Sequence, residues 1–383
     1  MLTISLLYCL VSLVVTASKD RDRNIFFSKS IVKLEIKTDY FRNAIYTNRK
    51  ITANRLKNYG YISRSKNSDE STEFGQKVAQ KGQNCVDKLD AQLFSNLPKL
   101  KIIEITGICT KKIEPGIFPW SLKSLNYVGT PHWTLINNST AGLDIPYNAF
   151  DNLRFLESLQ IQDANLQMIN KRWFQNLRML KIIDFTYNNL KTINNDHFKN
   201  LFNLRSLRLD YNVISVIEPL AFKPISSTLE VLSIAHNELD SGTIDSGLFD
   251  YNNNLKELIL DENWIYDFPK TSTTKNLTNL EVLSLSENLI KYLPKDIFKN
   301  LNNLTVLNLA KNQLTKIWSS AFEHLTKLEV VNLNDNKIDY CDARALKSNK
   351  QLKSLSIYGN KLTERQISLL QRILSNRKVK FYF

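Results

Sequence analysis

The chain is poor in the residues that build most catalytic and metal sites. Its 383 residues include 4 cysteines, 4 histidines and 10 glycines. The histidines are His132, His197, His236 and His324, and they show neither metal-ligand spacing nor the spacing of a catalytic triad. So few glycines leave no glycine-rich loop that could hold a phosphate. We therefore predict a protein that is not an enzyme and needs no cofactor, with no catalytic, cofactor-binding or metal-binding residues.

Long apolar runs are missing after the N-terminus. Residues 1–18 (MLTISLLYCLVSLVVTAS) are apolar, end in small residues and are followed at once by charges. This predicts a secretory signal peptide cut near Ala17 or Ser18, although no basic residue lies near Met1, and an uncleaved membrane anchor is the alternative. No later stretch reaches the ~18–20 apolar residues of a membrane span. The C-terminus lacks the apolar tail of a lipid-anchor signal. We expect a secreted, extracellular mature chain without a transmembrane span.

What the chain does contain is a repeat. Residues 180–201 (LKIIDFTYNNLKTINNDHFKNL) follow the pattern L-x-x-L-x-L-x-x-N-x-L, and the pattern starts again at Leu204. The first leucine, here called position 1, occurs at Leu100, Leu122, Leu156, Leu180, Leu204, Leu229, Leu255, Leu280, Leu304, Leu328 and Leu352. Position 9 holds Asn188, Asn212, Asn237, Asn263, Asn288, Asn312, Asn336 and Asn360. Eight aligned asparagines at one spacing are a specific signal for eleven stacked units.

Each position of the pattern has a physical role. Side chains alternate along a strand, so positions 4 and 6 point to one face and into the core. The position-9 amide is expected to bond the backbone of the turn that follows. A phenylalanine column precedes position 1 at Phe94, Phe150, Phe174, Phe198, Phe222, Phe249, Phe298 and Phe322, and position 14 adds Ile193, Ile217, Phe268, Leu293 and Ile317. One unit cannot bury these side chains alone, but a stack of units can.

The units that begin at Leu280 (LEVLSLSENLIKYLPKDIFKNL) and Leu304 (LTVLNLAKNQLTKIWSSAFEHL) resemble the typical class of extracellular leucine-rich repeats. That class occurs in Toll-like receptor ectodomains, Slit-like ligands and secreted insect immune proteins. The resemblance implies an α/β solenoid, a leucine-rich-repeat horseshoe with a parallel β-sheet on the concave face and a mostly irregular or short-helical convex face. It also implies the binding of a protein or microbial ligand, with innate immunity as the setting.

The rest of the chain is organised around this array. We predict a signal peptide at 1–18, a basic extension at 19–74, an N-terminal cap at 75–99, eleven repeats at 100–362, and a capping helix and strand at 363–383. The extension carries 13 Lys or Arg against 4 Asp or Glu up to Lys66. We expect it to be partly disordered, with one short strand at 31–36; binding to an acidic surface is the alternative. Extra residues around 132–143 predict a surface loop.

Cysteines and glycosylation motifs add predictions about modification. Cys85 and Cys109 lie one repeat length apart, and stacked repeats bring equivalent positions roughly 5 Å apart, which predicts a disulfide. Cys341 falls on the apolar position 14 of its unit, which predicts a buried thiol; an intermolecular disulfide is the alternative. Asn-x-Ser/Thr motifs predict N-glycosylation of a secreted glycoprotein at Asn137, Asn138, Asn276 and Asn303.

The formal net charge of +14 is concentrated at the two ends. Residues 342–383 carry 10 Lys or Arg against 2 Asp or Glu, and the N-terminal extension is also basic. Outside the cell, nucleic acid is not an expected partner. An anionic glycan or membrane surface is a candidate partner for the basic ends, and a merely solvated basic surface is the alternative. The sequence gives no indication of the oligomeric state.

The strand residues at positions 5, 7 and 8 are expected to face outward on the concave side. Tyrosine and arginine are favoured in protein interfaces. The predicted partner-binding residues are Asp184, Tyr187, Arg208, Asp210, Tyr211, His236, Asp261, Glu262, Glu287 and Lys311. They predict a secreted recognition protein that binds a protein ligand. The alternatives are a matrix or adhesion protein that binds polyanionic glycans through its basic ends, and a membrane-tethered receptor-like protein.

Overall fold

The structure, a computed structural model, describes residues 99–106, 110–129, 142–268, 274–375 and 377–383. It also describes Leu89, Phe94 and the backbone of three strands at 11–16, 33–38 and 86–89. Most of the predicted loop at 132–143 lies outside these residues, as do most of the predicted extension and N-terminal cap.

One long sheet runs through the molecule. In the described part of the chain its strands, from edge to edge, are β1 (Val11–Thr16), β2 (Lys33–Thr38), β4 (Ile102–Thr106), β6 (Ser124–Val128), β7 (Ser158–Gln162), β8 (Ile182–Asp184), β10 (Ser206–Arg208), β12 (Val231–Ser233), β13 (Glu257–Ile259), β14 (Val282–Ser284), β15 (Val306–Asn308), β17 (Val330–Asn332), β19 (Ser354–Ser356) and β20 (Lys380–Tyr382). β1 pairs antiparallel with β2, and every later neighbour pairs parallel. This is the expected parallel-sheet solenoid, and β2 overlaps the alternating run at 31–36.

The other side of each turn carries little regular structure, as predicted. Among the described residues, short strand pairs are formed by β3 (Val86–Leu89) with β5 (Thr110–Ile113), β9 (Thr192–Ile193) with β11 (Val216–Ile217), and β16 (Lys316–Ile317) with β18 (Tyr340–Cys341). Short 3-10 turns occupy Lys171–Phe174, Lys223–Ile225 and Ala343–Leu346, and a single helical turn, α1, spans Ser241–Ile244. Such short connections suit a solenoid in which each turn closes in about 24 to 26 residues.

The leucines stack in register through the core. Position 4 aligns Leu207 with Leu232, and Leu232 with Leu258, across neighbouring strands. Position-4 and position-6 side chains of the regular units are at most 3% exposed. Each buried side chain contributes roughly 1.5–3 kcal/mol before the loss of chain entropy is counted. The core is therefore one continuous column rather than a sum of separate units.

The position-9 asparagines connect each repeat to the one before it. In every unit from Asn188 to Asn360, the side-chain oxygen accepts from the position-11 N–H of the preceding repeat at 2.9–3.1 Å. The side-chain nitrogen donates to the position-6 carbonyl of the preceding repeat at 2.7–3.0 Å. The turn bonding expected from the sequence is present, and it also crosses the repeat boundary. These amides satisfy backbone groups that a buried turn would otherwise leave unpaired.

The phenylalanine column forms a stacked spine. Adjacent rings from Phe174 through Phe198 and Phe222 to Phe249 have centroids 6.3–6.5 Å apart. The column is interrupted where Thr274 takes the phenylalanine position, and a cavity of about 10 Å³ remains there. Phe268 turns toward the gap and packs edge-on against Phe298 at 5.1 Å. The spine thus tolerates one missing ring because a neighbouring ring fills most of the space.

Two glycines, Gly129 and Gly142, are the described residues on either side of 130–141. A Cβ on Gly129 would lie 2.3 Å from the carbonyl oxygen of Asp163, and a Cβ on Gly142 would lie 2.0 Å from that of Asn165. Hydrogen bonds from Gly129 N to Gln162 O and from Leu143 N to Ala164 O hold both points to the next repeat. Any side chain at either glycine would therefore force the backbones apart.

The C-terminal end of the sheet is covered by helix α2 (Glu364–Ser375) and strand β20. Thr363 and Gln366 bond each other's backbone N–H groups in a capping box. Leu370 and Leu374 of α2 are buried, while Ile367 is half-buried. The helix therefore packs against the core of the last repeat. Within the described residues we find no helix with the length and apolarity to cross a membrane.

Candidate functional site

The concave face is built by positions 3, 5 and 7, which alternate with the buried positions 4 and 6. We call this surface the concave floor. Position 3 was not among the predicted contact residues, yet it lines the floor with Ile182, Val231, Val282, Val306 and Val330. Ile182 is 40% exposed and the valines are half-buried. Strict period-two alternation along the strand is the signal that would have identified this apolar row.

Position 8 lies at the edge of the floor in a left-handed backbone conformation. Its φ values lie between 50° and 59° in the eight units from Asp163 to Asp335, and Gly359 takes the position in the last unit with φ 70°. Most side chains disfavour this region by roughly 1–2 kcal/mol. The left-handed residue bends the chain out of the strand directly before the asparagine that turns into the core. We call the row Asp163, Tyr187, Tyr211, His236, Glu262, Glu287, Lys311 and Asp335 the rim ladder.

The side chains of the rim ladder stack on one another across repeats. The rings of Tyr187 and Tyr211 lie 4.3 Å apart at 19°, and those of Tyr211 and His236 lie 3.7 Å apart at 16°. His236 Nδ1 is 2.5 Å from the Glu262 carboxylate, and Lys311 Nζ is 3.0 Å from the Glu287 carboxylate. Six of the ten predicted partner-binding residues therefore belong to one continuous, ordered row. Tyr187 is the first of these six residues along the chain and is 42% exposed.

Three of the predicted contact residues serve the fold instead. Asp210 Oδ1 accepts from Ser233 Oγ at 2.6 Å and from Ala235 N at 2.7 Å. Asp261 makes the same two bonds to Ser284 and Ser286 of the next repeat. Burial raises the pKa of Asp210, although these hydrogen bonds oppose the shift. The position-7 aspartates therefore hold adjacent strands together, and their carboxylates have little surface for a partner.

Asp184 and Arg208 differ in how accessible they are to a binding partner. Asp184 is buried, accepting from Thr186 N and Oγ1 through one oxygen and from Gln162 Nε2 through the other. Arg208 is half-exposed on the floor, in register between Asp184 and Ser233. The structure brings Arg208 beside the two stacked tyrosines, since all three come from β8 and β10 or the turns after them. This group combines aromatic rings with a guanidinium, the side chains that anchor many protein interfaces.

A ladder of opposite charges runs along position 2, at the other edge of the floor. Glu157 lies 2.8 Å from both Lys123 and Lys181, and these two lysines hold the pKa of Glu157 down at about 2. Glu230 likewise pairs with Arg205 and Lys256, and Glu329 pairs with Lys353. Each exposed pair contributes at most about 1 kcal/mol. Their alternation favours one register between repeats, and it was not anticipated because the partners are 24 to 34 residues apart.

A family model for leucine-rich repeats matches the chain four times, at residues 154–214, 202–265, 253–314 and 302–362. These overlapping matches cover more than half of the sequence. The protein belongs to the leucine-rich repeat family. No curated protein matches the whole sequence significantly.

Solved leucine-rich-repeat structures share the fold. A protein of Leptospira interrogans aligns with a TM-score of 0.58 and 20% identity, covering 78% of this chain and 82% of that one. A chain in the octameric complex of latrophilin 3, Unc5D and the leucine-rich repeats of FLRT2 gives 0.56 and 22%, covering 69% and 76%. A chain of the Drosophila Toll–Spätzle complex gives 0.55 and 20%, covering 75% of this chain and 40% of that one. At these identities the likeness concerns the fold.

The predicted modification sites of this leucine-rich-repeat protein divide between the described residues and the rest. Cys85, Cys109, Asn137 and Asn138 lie outside the described residues. Asn276 and Asn303 are half-buried, and their side-chain nitrogens donate to Asp250 O at 2.5 Å and Thr278 O at 2.9 Å of the preceding repeat. A glycan on either amide would have to be accommodated beside that bond. Cys341 is a buried free thiol in the core, and burial raises its pKa to about 12.

Stacking of the repeats brings two histidines close to carboxylates, which their spacing in the sequence did not indicate. His324 Nε2 lies 3.4 Å from both Asp296 Oδ1 and Glu323 Oε1, and His236 meets Glu262 in the rim ladder. Within the described chain, the His324 group is the one set of three side chains close enough to hold a metal ion together. Stacking joins His324 to Asp296 across 28 residues, which linear spacing conceals. The three side chains are partly solvent-exposed, and exposed acidic groups commonly lie together without an ion, so we assign them no metal.

Asp163, at the start of the rim ladder, makes the free energy of unfolding depend on pH. Partial burial raises the pKa of its carboxyl to about 7. The folded state keeps this proton up to about pH 7, whereas the unfolded state releases it near pH 4. The free energy of unfolding should therefore be highest below pH 4 and fall as the pH rises from 4 toward 7. We expect Asp163→Asn to raise the free energy of unfolding at pH 7.5 by on the order of 2 kcal/mol, after allowing for partial exposure. Urea unfolding of both proteins at pH 5.0 and 7.5 tests this.

Asp335→Asn is the matched control, because Asp335 is the exposed aspartate at the other end of the same ladder. It should unfold at the same urea concentration as the parent protein at pH 7.5. Equal pH slopes for Asp163→Asn and the parent protein would contradict the assignment.

Proposed function

We propose that this leucine-rich-repeat protein is a secreted recognition protein that binds a protein ligand through its concave floor and rim ladder. The observation that carries the proposal is the stack of Tyr187, Tyr211 and His236 beside the half-exposed Arg208. Stacking fixes these rings before a partner arrives, so binding them costs little side-chain entropy. The apolar position-3 row next to them offers area that a partner can bury.

The kind of partner follows from this surface. Around Val231, Val282 and Val306 the floor is lined mostly by small or β-branched residues, so an extended element of a partner can approach the sheet closely there. Tyrosine and arginine at its edge supply aromatic area and directed hydrogen bonds. The structural relatives support a protein partner, since two of them were solved in complexes with other proteins. A microbial protein presented to the same surface would meet the same chemistry.

The setting we propose is innate immunity. Support comes from the resemblance to secreted insect immune proteins and from the fold shared with Toll, which is described as part of a molecular hub in Drosophila development and innate immunity. Secretion rests on the apolar N-terminal segment at 1–18. Sequencing the N-terminus of the exported protein tests this part: a start near residue 18 or 19 supports secretion, and an intact Met1 segment supports the tethered alternative.

A capture experiment tests the concave site. The exported protein is immobilised and exposed to native extracellular fluid at physiological salt, next to a variant with Tyr187→Ala, Arg208→Glu and Tyr211→Ala. Asp210 is left unchanged, because its carboxylate holds Ser233 and Ala235 and its loss would unfold the site. We expect the parent to retain a protein that the variant releases, with an affinity loss of about 100-fold or more for two aromatic anchors and a charge.

The matched control combines Tyr251→Ala, Tyr292→Ala and Lys291→Glu. The two tyrosines are 46% and 55% exposed and lie away from the floor. It should keep the partner. Retention of the same protein by the concave variant would show that another surface is used.

The second candidate is binding of an anionic glycan by the basic C-terminal end. Exposed lysines at 347, 350, 361, 378 and 380 favour it, and Arg377 is held by the carbonyls of Leu346 and Lys347. Binding by exposed charges should weaken steeply between low and physiological salt. A partner held on the tyrosine stack should respond less, so the salt dependence of the captured material separates the two candidates.

A further inference from the structure

One lateral flank of the solenoid carries an apolar stripe that the concave site does not use. The stripe consists of Trp120, Phe155, Met179 and Phe202, one from each of four successive repeats, one or two residues before position 1. Their side chains are 59%, 51%, 44% and 60% exposed. The rings of Trp120 and Phe155 are 6.1 Å apart, and a shallow groove of about 490 Å³ lies between them. The stripe exposes on the order of 400 Å² of apolar surface, the size of patches that are often functional.

The repeat itself shows that the fold does not need apolar residues here. Equivalent positions in the C-terminal half hold Asn254, Asn279 and Asn303, whose side-chain nitrogens donate to backbone carbonyls of the preceding repeats at 2.6–2.9 Å. Asn203, beside Phe202, makes the same bond at 2.8 Å. Phe155 and Met179 forgo this bond and expose apolar surface instead. Four successive units with such residues therefore indicate a binding surface.

Basic residues accompany the stripe. Arg154 and Arg178 directly precede Phe155 and Met179, and both are exposed. Lys123, Lys181 and Arg205 extend from the adjacent position-2 ladder, where Glu157 and Glu230 neutralise part of their charge. Asp151 also lines the groove and opposes this positive charge. The charge around the stripe is therefore positive on balance. A second copy of this chain, with its net charge of +14, would be repelled there.

We propose that this flank docks on an anionic phospholipid surface. The stripe follows the long axis of the solenoid, because its four exposed side chains come from the same short segment, one or two residues before position 1, of four successive repeats. The four side chains protrude from the surface, as side chains that enter a lipid interface do, and the groove beside Trp120 and Phe155 is shallow. Aromatic residues and methionine enter the interfacial zone while arginines at their base reach the phosphates. Asn276 and Asn303, two of the four predicted glycosylation sites, lie in later repeats than the stripe.

Vesicle sedimentation tests the proposal with the exported protein. The probes are vesicles of phosphatidylcholine alone and of a phosphatidylcholine–phosphatidylserine mixture. We expect binding to the mixture only, and a fall in the partition coefficient of at least about tenfold for the variant Phe155→Ser, Met179→Ser, Phe202→Ser. Arg154→Glu with Arg178→Glu should also lower it, by roughly tenfold for two charges near the surface. These residues are exposed, so the variants should unfold at the parent's temperature.

The matched control replaces three equally exposed apolar residues of the opposite flank, Trp264, Leu289 and Tyr292, with serine. It should bind the mixed vesicles like the parent. Brominated lipid adds a depth readout, because it should quench the fluorescence of Trp120, and this part of the quenching should be missing in Trp120→Phe.

Three results would overturn the proposal: a parent protein that ignores both kinds of vesicle, a stripe variant that binds as well as the parent, or unchanged quenching in Trp120→Phe. The first would assign the stripe to a protein partner. The second and third would assign membrane binding to the basic ends or to the N-terminal segment, which all variants share.

Discussion

Replacing Asn212 with alanine should lower the free energy of unfolding by about 3–5 kcal/mol. Its side chain is 7% exposed and accepts from Leu190 N at 3.0 Å. It donates to Phe185 O and Leu209 O, each at 3.0 Å. Alanine leaves these buried backbone groups without partners, and each such group costs about 1–3 kcal/mol. Because the bonds to Leu190 and Phe185 cross a repeat boundary, the variant weakens the coupling between two units of the stack.

Urea unfolding followed by circular dichroism measures this change. Asn189→Ala is the matched control, because Asn189 is the neighbouring asparagine in the preceding repeat and its amide bonds only an exposed Gln167 side chain at 3.3 Å. The control should change the free energy by less than about 0.5 kcal/mol. If the two variants unfold at the same urea concentration, water can replace the column amide, and the boundary bonds contribute little.

This column could be predicted from the sequence because its signal is periodic. Eight asparagines at one spacing, with leucines fixed around them, leave one arrangement in which every amide meets a turn. The same periodicity predicted the phenylalanine spine and the burial of Cys341 at position 14, and the family resemblance implied the parallel sheet. These features depend on which residues are apolar and how far apart they are, and the sequence records both directly.

The backbone conformation at position 8 was not predictable in this way. Glycine is the residue usually found in the left-handed conformation. The row instead contains tyrosines, a histidine and a lysine, and only Gly359 in the last unit is a glycine. The surrounding turn, bonded to the column asparagine and to the next strand, forces the conformation on whatever residue is present. Adding a Cβ to Gly359 would bring it 2.2 Å from Asp335 Oδ1, so this glycine also makes room for its neighbour.

Contacts between repeats were the other features that escaped prediction. Asp210 reaches Ser233, Glu157 reaches Lys123, and His324 reaches Asp296, across 23, 34 and 28 residues. Each pair is unremarkable in linear order and becomes adjacent only when the units are stacked in register. Whether a residue at position 7 can contact a binding partner therefore depends on which side chain lies next to it on the strand of the following repeat.

This correction narrows the candidate site. The buried Asp184 and the half-buried Asp210 and Asp261 bond groups of neighbouring strands. This leaves Arg208, the position-3 row and the rim ladder, with its stack of Tyr187, Tyr211 and His236, as the surface for a partner. The two halves of the solenoid also differ. The N-terminal half combines the tyrosine stack with the flank stripe, and the C-terminal half carries small floor residues, asparagine-lined flanks and a basic end.

Phe222→Ala should lower the free energy of unfolding by about 3–5 kcal/mol, the range for a fully buried phenylalanine. Its ring is 0% exposed and lies between Phe198 at 6.3 Å and Phe249 at 6.5 Å. Both neighbours are fixed in their own repeats and cannot move into the space. Phe202→Ala, which removes a ring of 60% exposure from the preceding repeat, should cost less than about 0.5 kcal/mol in the same urea titration.

Thr274 shows why the cost at Phe222 should be large. There the chain lacks the spine ring, but Phe268 packs toward the gap, and a cavity of only about 10 Å³ remains. The position equivalent to Phe268 next to Phe222 holds Ile217, which is already packed and too short to reach the spine. A void should therefore persist in Phe222→Ala, and its neighbours would lose their dispersion contacts. A measured loss below about 1.5 kcal/mol would instead mean that adjacent repeats slide together to close it, and that the spine is softer than its stacking distances imply.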